Sequence, residues 1–182
     1  MRFKKKELKD LAKTWLAVAT VFSIAYSGLS NFISFFWISL ASAGVAVVVH
    51  ELAHKWLAQK YGCKAQFKSH DGALIFSIAL STTGIILLAP GGVLVSGASR
   101  DQNGKIALAG PLSNIVLSLI SLALFIIAPS LLFSFSFKVN ALFAMFNLLP
   151  VRPLDGSSVF EWNKIAWGAS MAAASVVFFL TY

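Results

Sequence analysis

The sequence predicts a mainly α-helical, polytopic membrane protein, and three observations carry that reading. Of its 182 residues 58% are hydrophobic and 12% charged, with a mean hydropathy of +0.79, whereas soluble domains are nearer half apolar and a quarter charged. Apolar runs long enough to cross a bilayer at 1.5 Å per residue recur along the chain. The net charge of +8 is gathered in short segments between those runs, which encodes topology rather than nucleic-acid binding. This balance excludes an ordinary soluble globule, a disordered chain and a disulfide-rich secreted module. The single cysteine, Cys63, cannot form an internal disulfide.

The N-terminus, MRFKKKELKDLAK, holds six Lys/Arg and leads into an apolar stretch, Trp15 to Leu29. We read it as a retained first span rather than a cleaved signal, because the next apolar run begins at Phe32 and no soluble domain follows. That second run extends to Ala58 and carries HELAH, His50 to His54, near its end, with Lys55 in its last turn and Lys60, Lys64 and Lys68 beyond. Residues 73–98 hold β-branched residues, Gly84 and a Pro90-Gly91-Gly92 turn, and read as strands. If this segment re-enters the side it left, 14 Lys/Arg face the cytoplasm and one, Lys138, faces outward; if it spans, the division is 11 to 4. The positive-inside rule selects re-entry, and irregular backbone at that depth must line a protein interior. Residues 106–128 form a clear span, 139–150 a short apolar segment and 165–182 a last run. The expectation is about five transmembrane helices and a membrane-re-entrant β-rich segment, in one domain over 1–182, with the N-terminus cytoplasmic.

Ionisable groups inside spans mark chemistry, since each costs free energy to insert. His50 and His54 lie at i and i+4 on one helix face, a spacing that lets two imidazoles meet one zinc ion. Glu51 sits beside them, placed to act as general base on water activated by the metal. A catalytic zinc needs one more protein ligand. Asp155 in NLLPVRPLDG (Asn147 to Gly156) is the leading candidate: Pro150 and Pro153 interrupt the helix and Gly156 frees the backbone beyond. Read alone, Asp155 is a polar loop cap. With 73–98 re-entrant, however, HELAH and Asp155 reach the same cytoplasmic level. His70-Asp71 reads as a loop pair, Cys63 as a spectator thiol and Arg152 as a headgroup-seeking side chain. Asn147 and Asn114 could each hydrogen-bond a substrate carbonyl or oxyanion, or join helices.

HELAH in one membrane helix, GPLSN in the next and NLLPVRPLDG near the fourth span together resemble the site-2 protease family of intramembrane zinc metalloproteases, over roughly residues 32–160. The resemblance implies a three-helix catalytic core and one Zn2+ held by His50, His54 and Asp155. It also implies a water-activating Glu51, an Asn147 that assists substrate binding or the oxyanion, and a re-entrant β-rich segment matching 73–98. The expected activity is hydrolysis of peptide bonds in or near transmembrane segments of other proteins in the lipid bilayer, the chemistry of regulated intramembrane proteolysis, with the active site toward the cytoplasm. An exposed strand edge in 73–98 would hold the unwound substrate by β-addition. No PDZ or CBS module is seen. Compact relatives have six spans against five counted here, so the expectation is a shortened chain or one without the last gate helix. Rival readings are a membrane metal carrier or sensor using the same ligands, and a non-catalytic homologue that binds membrane helices.

Overall fold

The computed structural model describes residues 1–88 and 90–181; Ala89 of the 73–98 segment and Tyr182 of the last apolar run lie outside them. Helix α1 (Lys5–Ser27) is followed by α2 (Phe32–Ser39), a π-helical turn (Leu40–Gly44) and α3 (Val45–Lys60), which run on as one rod. Next come β1 (Lys64–Ser69), α4 (Asp71–Ser81), β2 (Gly91–Ser96), α5 (Arg100–Ile127), α6 (Leu131–Asn147), α7 (Asp155–Trp162) and α8 (Lys164–Phe179). Among the described residues two helices are long and apolar enough to cross a membrane, the rod Phe32–Lys60 and α5, and only 33% of each apolar window is buried in the protein. A soluble core helix would hide most of such a face. Here Ile33, Trp37, Ile120 and Ile126 point outward, which suits acyl chains.

The core is helix on helix. Val18, Val21 and Phe22 of α1 pack against Ala43, Ala46 and Val47 of the rod and Phe135, Val139 and Phe143 of α6, with the Phe22 and Phe143 rings edge-on at 5.7 Å. Ile115 of α5, Ala141 and Ala144 of α6 and Ala174 of α8 form a second cluster. The π-turn serves the first contact. It leaves the Leu40 carbonyl to accept from Trp15 Nε1 at 2.9 Å, and a Cβ at Gly44 would run into the Trp15 ring.

Three sequence expectations change. Residues 73–98 are not strand throughout: Asp71–Ser81 is helical, because its Leu and Ala residues favour a helix and Asp71 suits the positive N-terminal end. The strand signal is real only after Pro90, and β2 pairs antiparallel with Lys64–Ser69, a stretch whose lysines disguise its alternation. Lys138 sits on α6 rather than in a loop, since that helix begins at Leu131. Lys55, counted among the cytoplasm-facing cations, is buried at 1% exposure.

Candidate metal centre

Two elements converge on one point. The inner face of α3 presents His50 and His54, and α7 presents Asp155 at its first residue. Asp155 Oδ2 lies 3.1 Å from His50 Nε2 and 3.2 Å from His54 Nε2, and the two Nε2 atoms are 3.0 Å apart. Three tetrahedral ligands at zinc bond lengths of 2.0–2.1 Å stand about 3.3–3.4 Å from one another, so this triangle fits one small ion.

The hydrogen bonds fix what those atoms are. His54 Nδ1 is 2.7 Å from the Ile106 carbonyl, which only accepts, so Nδ1 carries the proton. Asn114 donates its amide N–H groups to the Ala46 carbonyl and Asn140 Oδ1. Its oxygen therefore faces His50 Nδ1, at 2.7 Å, and accepts from it. Both Nε2 atoms are then bare lone pairs, aimed at each other and at a carboxylate. Three acceptors at such range repel unless a cation lies among them, and this donor set suits zinc.

Close approach of α5 makes the cluster possible. Ile106, Gly110 and Asn114 recur every fourth residue and share one helix face. A Cβ on Gly110 would lie 2.5 Å from His54 Cε1 and 2.7 Å from His50 Cε1. Pro111 cannot donate to the Ala107 carbonyl and loosens the turn, beside the Ile106 carbonyl that His54 uses. Asp155 is placed by Gly156, though not as expected. Gly156 has no positive φ. It is needed because a Cβ there would collide with the Leu148 and Leu149 carbonyls, against which the start of α7 is packed.

Glu51 is buried beside the cluster, and its Oε2 has no hydrogen-bond partner among the described residues. It faces a cavity of about 520 Å3 that also exposes Asn147, Phe143, His70 and β2 residues Gly92 and Val93. Asn147 donates to the Phe143 carbonyl at 2.9 Å and lines the same cavity. His70 lines the mouth outside the ligand triangle. Cys63 is buried and free. Arg152 pairs with Glu161 at 3.0 Å.

The sheet has two differently treated edges. Phe67 N–H points outward to Glu7 Oε1 at 3.0 Å and the Ala65 carbonyl to Lys55 Nζ at 2.8 Å. Odd-numbered β1 residues thus face away from β2. By the register Phe67↔Val93 and Ala65↔Val95, the N–H and C=O groups of Val93 and Val95 face away from β1, on the side of Glu51. Glu7 and Lys55, paired at 2.6 Å and both buried, thereby cap the outer edge of β1. Burial pushes the Glu7 carboxyl up, but the Lys55 ammonium and the Phe67 and Lys4 N–H groups outweigh it and hold the group below its ordinary range.

Sequence reasoning missed Gly110, the Ile106 carbonyl, Asn140 and the Glu7–Lys55 pair. The fourfold spacing of Ile106, Gly110 and Asn114 was the one available signal. Asn114, read as an oxyanion or helix-joining group, does join helices, bonding α5 to Ala46 of the rod and Asn140 of α6, and its oxygen orients His50 as well.

Residues 35–130 match the family model of peptidase family M50. A protein of Methanocaldococcus jannaschii provisionally named a zinc metalloprotease is 38% identical over 174 residues, covering 91% of this chain and 89% of its own. A second M. jannaschii protein, named a zinc metalloprotease, is 30% identical over 63% of this chain and 31% of its own. A Bacillus subtilis protein, also provisionally named a zinc metalloprotease, is 29% identical over 64% of each chain. No solved structure matches the chain.

Proposed function

Because the chain belongs to peptidase family M50, the site-2 protease family of membrane metalloproteases, we propose that it hydrolyses peptide bonds within or near transmembrane segments of other membrane proteins. One observation carries the reading: two bare imidazole Nε2 atoms, a carboxylate oxygen and the orphaned Glu51 Oε2 gather at a cavity inside an apolar helix bundle.

His50, His54 and Asp155 would hold one Zn2+. Zinc bound there supplies Lewis acidity toward a scissile carbonyl and lowers the pKa of water to about 7. Glu51 Oε2 takes the proton from the attacking water and returns it to the leaving amine. Its freedom from other hydrogen bonds leaves both lone pairs for that transfer. Asn147 offers its amide to the substrate carbonyl after releasing Phe143. The substrate helix must unwind to expose a carbonyl, and the outward N–H and C=O groups of Val95 together with the Val93 carbonyl receive the extended segment by strand addition.

The topology we assign is about five spans in one domain over 1–182, with a catalytic core near 32–160. Residues 73–98 re-enter the membrane, and the N-terminus and site face the cytoplasm. The experiment pairs wild type with Glu51→Gln, reading zinc content and cleavage of a membrane-embedded substrate in detergent. The variant should keep one zinc per chain and lose cleavage. Full cleavage by Glu51→Gln sinks the assignment, and zinc transport independent of Glu51 would favour a metal carrier.

A further inference from the structure

A second cavity, of about 1120 Å3, opens where α1 begins and α3 ends. The N-terminal residues form one wall and the α3–β1 elbow the other. Leu94 and Ser96 of β2 face it, while Val93 and Val95, on the opposite face of the strand, line the cavity beside the metal ligands. Arg2, Lys4, Lys60 and Lys64 supply four cations. Glu7 is the one carboxylate among its described lining residues, and it is already committed to Lys55 at 2.6 Å and to the Phe67 and Lys4 N–H groups. Among the described residues none of the four cations has an acidic partner. Lys4 Nζ reaches only Gln66 Oε1, at 3.2 Å, and Lys60 lies 5.0 Å over the Trp56 ring. The rim is apolar, with Trp56 52% and Leu94 63% exposed.

We propose that this groove binds the phosphate headgroup of an anionic phospholipid, with the acyl chains lying against Trp56 and Leu94. Uncompensated positive charge on both walls calls for an anion, and an apolar rim beside it selects a lipid over free phosphate. A bound headgroup bridges the N-terminal wall to the elbow, clamping the segment whose Glu7 caps β1. The groove shares no residue with the His50–His54–Asp155 cluster, so the inference stands apart from the protease reading.

The test uses the full chain in detergent micelles, both wild type and Glu51→Gln, titrated separately with phosphatidylglycerol, phosphatidylcholine and inorganic phosphate. Melting temperature and native mass spectrometry report binding. Phosphatidylglycerol should bind saturably and weaken with salt, while phosphatidylcholine and phosphate should leave the melting temperature unmoved. Each basic side chain near an anionic headgroup contributes about fivefold in affinity, so Lys60→Gln/Lys64→Gln should bind about 30-fold more weakly. Both lysines are exposed and their loss leaves the fold intact. Arg2→Gln/Lys4→Gln, on the opposite wall, should lose a similar factor. Lys138→Gln/Lys164→Gln, which removes equal charge elsewhere, should bind like wild type. The proposal is overturned if phosphatidylcholine binds equally, if phosphate alone gives the full stabilisation, if Lys60→Gln/Lys64→Gln binds like wild type, or if the distant pair loses as much.

Discussion

Gly110→Ala is a one-methyl test of the metal centre. Gly110 lies on α5 directly against the two imidazoles, and the added Cβ would stand 2.7 Å from His50 Cε1 and 2.5 Å from His54 Cε1. Ordinary contact begins at 3.4 Å, so relief requires the His50 ring to retreat by about 0.7 Å and the His54 ring, whose Nε2 is the nearest atom of all, by more than about 0.9 Å. Metal–ligand distances tolerate only about ±0.2 Å. The rings cannot slide freely either, since Nδ1 of each is tied at 2.7 Å to Asn114 or Ile106. Secondary-structure propensity pulls the other way, because alanine is better than glycine in a helix interior by about 0.8–1.0 kcal/mol. The variant should therefore fold, with helical content like that of wild type, and yet bind zinc at least about 100-fold more weakly. Competition with a chromogenic chelator measures the affinity, and circular dichroism with a thermal melt measures the fold. Gly168→Ala on α8 is the control: its added Cβ meets nothing within 4 Å, so zinc binding should be untouched. Wild-type zinc affinity in Gly110→Ala would refute the assignment of this cluster as the metal site.

Asn114→Leu removes the acceptor that fixes His50 and leaves Asn140 short of a donor; zinc affinity should fall about 10–100-fold and stability by about 1–3 kcal/mol, read by the same competition and by denaturant titration. Asn147→Ala should leave zinc content at the wild-type value while lowering kcat/KM for cleavage, because Asn147 lines the cavity but touches no ligand; a loss of metal would contradict its substrate-facing role. The Glu7 carboxyl is held below its ordinary value of 4.5 in the folded protein. Its contribution is thus fully present above about pH 4.5 and is lost as pH falls below that through the folded pKa. Wild type should lose melting temperature in that acidic window. Glu7→Gln should be less stable at neutral pH, by about 3–5 kcal/mol for an uncompensated buried Lys55, and flatter below pH 4.5. Equal acid sensitivity in both proteins would argue against the Glu7–Lys55 cap.

Much of the site was legible because its chemistry is written in local spacing. The four-position step from His50 to His54 places both on one helix face in any helix, and the cost of polar groups in apolar runs singles them out before any fold is known. Asp155 was harder. Its carboxylate is adjacent to the histidines only because α5 and α6 carry the chain out and back, and the positive-inside count supplied that argument indirectly. The β signal was misplaced for a definable reason. Strand pairing joins residues 64–69 to 91–96, and one partner hides its alternation behind Lys64 and Lys68, whose side chains face outward. The helix at Asp71–Ser81 was missed because a short apolar run carries no period strong enough to separate helix from strand.

What the sequence determined by itself is the membrane class, the paired imidazoles with their carboxylate neighbour, and the family to which the motifs belong, all properties of composition and of contacts within a few residues. What only the tertiary structure decided is which groups surround them. Gly110 gives way to the rings, Asn114 and the Ile106 carbonyl set both tautomers, Gly156 lets α7 bring Asp155 within 3.2 Å, and Lys55 turns inward to Glu7. Most of these depend on groups about 50 to 105 positions apart meeting at contact distance. No local pattern specifies such a meeting, because it follows from how whole helices pack.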